Sequence, residues 1–221
     1  MSLEAIYERR FAPDVQFRQD MWRILCQDFF QRYVPPTSHV VEIGAGYCEF
    51  INHIVAARKV AVDLNTDTSR YANADVEVVT TSSTDLSAIP SSSLDVAFAS
   101  NFFEHLARGD IVLTMREVAR ILRPGGRFLI LQPNYRYCYR DYWMFFDHVT
   151  ALDHHSLEEA LETTGFRTVE MLPRFLPYTT KSSLPKSPLL VKAYLRLPLI
   201  WRLLGQQAFA VAEVAPGGIL P

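Results

Sequence analysis

The sequence predicts an α/β fold: a mostly parallel, doubly wound sheet with helices on both faces. Three observations carry that prediction. Short apolar runs alternate with helical patterns across most of the chain, joined by brief connections. Polar or acidic residues stand at the ends of those runs: Glu42, Asp63, Asp85 and Asn101. One run, Val40-Val41-Glu42-Ile43, turns at once through Gly44-Ala45-Gly46 into a helical pattern. Glycine allows both a tight turn and a close approach to a ligand. Ligands of such sheets bind at the carboxyl ends of the strands.

The elements follow in order. Residues 1–14 show no strong pattern. From Val15 to Tyr33, Trp22, Leu25, Cys26, Phe29, Phe30 and Tyr33 recur at helical spacing, and Pro35-Pro36 ends the helix. Strand one is expected at 39–43. A helix is expected near 48–57, with Phe50, Ile51, Ile54 and Val55 on its inner face and its first N–H groups facing the site. Lys59–Asp63, Val76–Val79 and Leu94–Ser100 read as strands two to four. Residues 109–122 are helical by period and stop at Pro124-Gly125-Gly126; Arg127–Leu131 is strand five. A helix over Ser156–Thr164 has Ser156 as cap and Glu159 three residues on, a capping box. Phe166–Met171 and Ala208–Val214 supply two further strands, giving seven.

Composition bounds the class. The 221 residues suit one domain, 49% of them are hydrophobic, and the net charge of −2 argues against a surface built for nucleic acid. Cys26, Cys48 and Cys138 are odd in number and widely spaced, which fits a reducing compartment; a cytoplasmic location is expected. The N-terminus lacks the apolar core of a signal peptide, and no apolar run reaches the ~18 residues of a membrane span. His154 and His155 are adjacent, and neighbouring histidines point apart on most backbones. No third ligand stands at a sensible spacing, so no metal site is expected.

An acid at the end of strand two, about twenty residues beyond a glycine pair, is placed to accept both hydroxyls of a ribose. Asp63 fits. A dinucleotide fingerprint wants a third glycine where Glu49 stands, and that charge would repel a diphosphate. Glu42 suits a cation such as an amino or sulfonium group. An NAD-dependent oxidoreductase of the short-chain kind would also need Tyr-x-x-x-Lys, which the sequence lacks. A protein that binds its cofactor without catalysis is a further alternative.

The set Val41-Glu42-Ile43-Gly44-Ala45-Gly46, Ala61-Val62-Asp63, Thr84-Asp85-Leu86, Leu94 to Leu106, and Leu122-Arg123-Pro124-Gly125-Gly126-Arg127-Phe128 resembles the class I S-adenosylmethionine-dependent methyltransferases, nearest their type-11/type-23 small-molecule group. The resemblance spans about residues 38–172. It implies a Rossmann-like doubly wound, mostly parallel seven-stranded sheet with an antiparallel last strand. It implies that Glu42, Gly44, Ala45 and Gly46 hold the methionine end and that Asp63, with Leu64, takes the ribose. Asp85 and Leu86 would meet the adenine, and Ser100, Asn101 and Phe102 would line the cofactor near its methyl. Cys48 stands where the family often has a third glycine. A reactive thiol there would draw on a helix N-terminus, but a buried spectator is expected.

Methyl transfer needs alignment, and proton removal if the acceptor is a hydroxyl. His105 and His148 are the candidate catalytic bases; the alternative for His105 is a cap on the following helix, and for His148 a hydrogen bond within the core. The aromatics from Asn134 to His148, among them Tyr135, Tyr139 and Trp143, form either an acceptor pocket or a satellite core. From Met171 to Ala212 no acid occurs, but six cations do, amid many leucines. That stretch reads as a packed lid, with contact to a membrane surface as the alternative. Three organisational parts are expected: an N-terminal helical cap (1–36), the methyltransferase core (37–172) and a C-terminal lid or substrate segment (173–221). The partner is a small-molecule methyl acceptor. Asp147-His148 through Phe175-Leu176-Pro177-Tyr178-Thr179 looks similar to bacterial methyltransferases of glycan biosynthesis, so a sugar or a lipid- or nucleotide-linked glycan precursor is expected.

Overall fold

The computed structural model describes residues 15–178 and 187–215. Its centre is one seven-stranded sheet: β1 (His39–Ile43), β2 (Arg58–Asp63), β3 (Val76–Thr80), β4 (Leu94–Ser100), β5 (Leu122–Pro133), β6 (Phe166–Leu172) and β7 (Gln207–Val214). The strand order is β3-β2-β1-β4-β5-β7-β6. Neighbours from β3 to β5 pair in parallel, and β7 runs antiparallel to both β5 and β6. This is the sheet the sequence predicts, antiparallel last strand included.

The central strands are apolar on both faces because both are covered. Val40, Val96, Phe98, Leu129 and Leu131 point to one side, where α1 (Val15–Asp28) contributes Trp22, Leu25 and Cys26. Val41, Ile43, Ala97, Ala99, Phe128 and Ile130 point to the other, against α3 (Arg108–Ile121) and α5 (His154–Thr163) through Met115, Val118, Leu157 and Leu161. The alternation is the period-two rule of strands. α2 (Thr68–Tyr71) is a single turn after β2.

Four expectations are corrected. The first helix ends at Asp28 and gives way to a 3-10 turn over Phe30–Tyr33. No regular helix forms over 48–57; a run of turns spans 46–53. Cys48 adopts a left-handed φ of 56°, the Glu42 carboxylate accepts the Ile51 N–H at 3.0 Å, and Gln31 Oε1 accepts that of Val55. Side chains thus take amides that a helix would use internally. Phe50, Ile51 and Ile54 are buried as expected, but Val55 is exposed. β5 starts at Leu122, paired with Leu94, and Pro124-Gly125-Gly126 sits at a register irregularity inside it. Finally, Asp153 is the cap of α5, accepting from the Ser156 amide, and the box closes through the Ser156 hydroxyl.

Beyond β6, α6 (Pro188–Leu195) and α7 (Pro198–Leu204) each begin with a proline, where its missing N–H costs nothing. Leu195 and Trp201 pack with Phe29, Phe175 and Phe209. Thr179, Lys181, Pro185 and Lys186 lie outside the described residues.

Candidate active site

Parallel pairing brings the ends of β1, β2, β3 and β4 to one edge of the sheet. The glycine loop crosses that edge. Gly44 (φ 67°) and Gly46 (φ 48°) both take left-handed conformations. The amides of Gly44 and Ala45 donate to the Val62 carbonyl at 2.9 and 3.0 Å, and that of Cys48 to the Ala45 carbonyl. The Gly46 amide donates to Asp63 Oδ2 at 2.7 Å. These donors are spent within the protein. None of these four amides is offered to a diphosphate.

Glu49 was expected to repel a diphosphate by its charge. Instead it is paired with Arg18, whose Nε lies 2.9 Å from Oε1. The Glu49 charge is thus neutralised and does not by itself repel a diphosphate. Glu42 is 4% exposed, and burial pushes its carboxyl well above the usual range. Its carboxylate faces residues 50 and 51 from beneath the loop. Cys48 is buried, and burial pushes its thiol up to about 12, the opposite of an activated thiolate.

Asp63 is half-buried, and its second oxygen accepts the Asn65 amide. Two of the roughly four acceptor positions of a carboxylate remain, a fit to a ribose diol. Asp85 is exposed and hydrogen-bonds Ser87, which lowers its pKa and keeps it an acceptor. Leu86 is buried and Leu64 exposed. Asn101 is left-handed (φ 46°), its amide bound to the Leu131 carbonyl and its side chain to the Ser100 hydroxyl. Phe102 lies on Gly44: a Cβ there would sit 2.3 Å from its ring. A Cβ at Gly46 would meet nothing within 4 Å. Open space at Gly46, beside the Asp63 carboxylate, suits a nucleoside.

His105 follows within the 3-10 turn Phe103–His105. The turn is tied to the segment after α4 (Tyr135–Tyr142): the Val149 and Thr150 amides donate to the Glu104 carbonyl. His105 and His148, 43 residues apart in the chain, thereby meet with ring centres 5.1 Å apart. His105 Nδ1 lies 3.0 Å from the Asp147 carbonyl and 3.5 Å from its carboxylate. Glu104 is 1% exposed, and burial raises its pKa. It accepts from Gln132 Nε2 at 3.0 Å. Sequence reasoning missed Glu104 and Gln132 as members of this cluster. An acid directly before a candidate histidine was the available signal.

Tyr142 is fully buried against His148, its ring 4.6 Å away. Tyr135 and Trp143 pack edge-on to Tyr142, while Trp143 and Tyr139 remain about half exposed. The segment is thus part core and part open aromatic surface. His154 and His155 do not point apart: their rings lie 4.0 Å from each other. Burial, then His155, lowers the His154 pKa, and its Nδ1 meets the Asn134 amide at 3.0 Å. That is a neutral core histidine.

Residues 41–130 match the family described as "Methyltransferase domain". No curated protein matches the chain. Among solved structures, a SAM-dependent methyltransferase from Archaeoglobus fulgidus is 19% identical with a TM-score of 0.68, covering 92% of this chain and 98% of its own. An S-adenosylmethionine-dependent methyltransferase from Mesorhizobium loti is 16% identical with a TM-score of 0.59, over 82% and 94%. A geranyl diphosphate methyltransferase in complex with SAM is 16% identical with a TM-score of 0.62, over 89% and 85%. Residues 41–130 thus match a methyltransferase domain, and the chain has the fold of solved S-adenosylmethionine-dependent methyltransferases.

Proposed function

We propose that the chain transfers a methyl group from S-adenosylmethionine to a hydroxyl of a small molecule, a sugar or glycan precursor. The observation that carries this reading is the short span from Phe102, packed on Gly44, to His105, packed on His148. It joins the cofactor loop to a cluster able to activate a hydroxyl. S-Adenosylmethionine supplies an electrophilic methyl on a sulfonium. Asp63 takes the ribose, Asp85 and Leu86 the adenine side, and the loop through Gly44, Ala45 and Gly46 the methionine end. Ser100, Asn101 and Phe102 line the approach to the methyl. His105 and His148 are the proposed catalytic residues, activating the acceptor hydroxyl for loss of its proton. The half-exposed rings of Trp143 and Tyr139, with Tyr135, suit stacking on a sugar face.

Residues 173–178 and 187–215 are proposed to border the acceptor. Tyr178 supports this, its ring lying 5.7 Å from that of Phe145. The outer faces of α6 and α7 favour a lipid-linked acceptor. Leu189, Leu199 and Leu203 are 77, 76 and 74% exposed, beside the exposed cations Lys192, Arg196 and Arg202. Exposed leucines and exposed cations on the same two helices suit an anionic membrane surface. No helix among the described residues is long and apolar enough to cross a membrane.

The test is calorimetric titration with adenosylhomocysteine and with NADH, followed by methyl transfer to a panel of sugars and lipid-linked glycans. Adenosylhomocysteine should bind and NADH should not. Binding of NADH alone rejects the reading. Cofactor binding without transfer to any acceptor favours a non-catalytic protein.

A further inference from the structure

We propose that Glu104, His105 and His148 form a binding site for a divalent first-row transition-metal ion beside the methyl-transfer centre. The sequence offers no metal-ligand spacing here. The fold creates the site by fastening the 103–105 turn to residues 148–150. One donor atom from each of the three side chains lies within 4.8 Å of the others. Two ligands held at ~2.1 Å from one ion are at most ~4.2 Å apart. The 3.9 Å between His105 Nε2 and Glu104 Oε1 already meets that limit. Small rotations of the rings bring the remaining pairs within it.

Outer partners orient the ligands as metal sites require. His105 directs Nδ1 at the Asp147 carbonyl, 3.0 Å away, which makes Nδ1 the protonated nitrogen and Nε2 the lone-pair nitrogen. The Asp147 carboxylate, 3.5 Å from Nδ1, reinforces that tautomer. Gln132, itself buried, donates to Glu104 Oε2 and turns Oε1 toward the histidines. The Gln132 Oε1 is buried with no hydrogen-bond partner, so this amide is fixed by its bond to Glu104. A carboxylate this deeply buried is costly to ionise without a cation. Two imidazoles and one carboxylate select Zn²⁺, Mn²⁺ or Fe²⁺ over Mg²⁺ or Ca²⁺.

The inference rests on the methyl-transfer reading only for its purpose. The two histidines then activate the acceptor through the ion. A hydroxyl coordinated there loses its proton to solvent more readily. Its oxygen forms the new C–O bond as the S–CH₃ bond breaks, and the sulfur leaves as a neutral thioether.

The experiment is calorimetric titration of chelator-treated full-length protein with ZnCl₂ and with MnCl₂, with and without adenosylhomocysteine. One ion per chain is expected, bound at least tenfold more weakly by His148→Asn and by Glu104→Gln. His154→Asn, outside the cluster, should bind like the wild type. Circular dichroism checks that each variant is folded. Should the cluster variants fail to fold, Co²⁺ added to the wild type gives the second reading: two paramagnetically shifted imidazole N–H resonances are expected. No ion uptake, undiminished binding by folded cluster variants, or fewer than two shifted resonances overturns the proposal. Failure to bind adenosylhomocysteine instead overturns the methyl-transfer reading and leaves ion binding as a separate result.

Discussion

Asp63 ties the glycine loop to the second strand: its Oδ2 accepts the Gly46 amide at 2.7 Å while Oδ1 accepts the Asn65 amide at 2.8 Å. The carboxylate that is to hold a ribose therefore also fixes the loop beneath it. Asp63→Ala removes both functions. A hydrogen bond to a charged group contributes ~1.5–3 kcal/mol, so adenosylhomocysteine affinity should fall about ten- to a hundredfold. Asp63→Asn keeps one carbonyl oxygen and should lose less. Unchanged affinity in the alanine variant, measured by calorimetry, rejects the ribose role.

Gly44 and Gly46 share a backbone conformation but not an environment. A Cβ at Gly44 would meet Phe102 Cδ2 at 2.3 Å, whereas one at Gly46 would meet nothing within 4 Å. Left-handed φ costs a non-glycine residue ~1–2 kcal/mol, and overpacking adds ~1–3 kcal/mol. Gly44→Ala should lower the thermal midpoint markedly. In a Phe102→Ala background the overpacking part should vanish while the backbone part remains. A double-mutant cycle that comes out additive would mean the ring does not press on Gly44.

The strands were legible because each is a short apolar run bounded by turn residues and covered on both faces. Their order and register were not read from the sequence, because these depend on which strands meet across the crossovers. The segment after Gly46 was misread for a definite reason. Phe50, Ile51 and Ile54 are buried as a helix would bury them. A run of turns buries the same positions, and the bonds that decide between the two, from Glu42 and Gln31, come from other elements. Likewise Pro124-Gly125-Gly126 carries every mark of a terminator, yet β5 runs through it because Leu122 finds Leu94. At the site, the sequence alone offers Asp63 and Asp85 as candidates for the nucleotide side. The contact of His105 with His148 was not legible, since a backbone bridge to Glu104 makes it.

Glu42 should make stability pH-dependent in a direction opposite to a surface carboxylate. Burial raises its folded pKa above the ordinary 4.5. Above that value the unfolded chain releases a proton that the native state still binds, so stability falls as pH rises. Glu42→Gln removes this effect while keeping an oxygen for the Ile51 amide. The variant's stability relative to the wild type, from urea unfolding, should therefore increase from pH 4.5 upward until the folded group itself ionises. A flat difference across that window would mean that Glu42 is not held in its neutral form.

The exposed leucines of α7 make the membrane reading measurable. Leu199 and Leu203 stand four residues apart, one turn of the same helix, at 76 and 74% exposure. Neither is in the buried core, so Leu199→Glu with Leu203→Glu should leave the thermal midpoint nearly unchanged. Burying a leucine contributes ~1.5–3 kcal/mol, and each nearby cation adds ~1 kcal/mol at an anionic surface. The wild type should sediment with phosphatidylglycerol vesicles, less with phosphatidylcholine, and less as salt is raised. The double variant should bind phosphatidylglycerol vesicles at least tenfold more weakly. A wild type that stays in the supernatant with both lipids would leave the leucine face without a membrane role and remove the support for a lipid-linked acceptor.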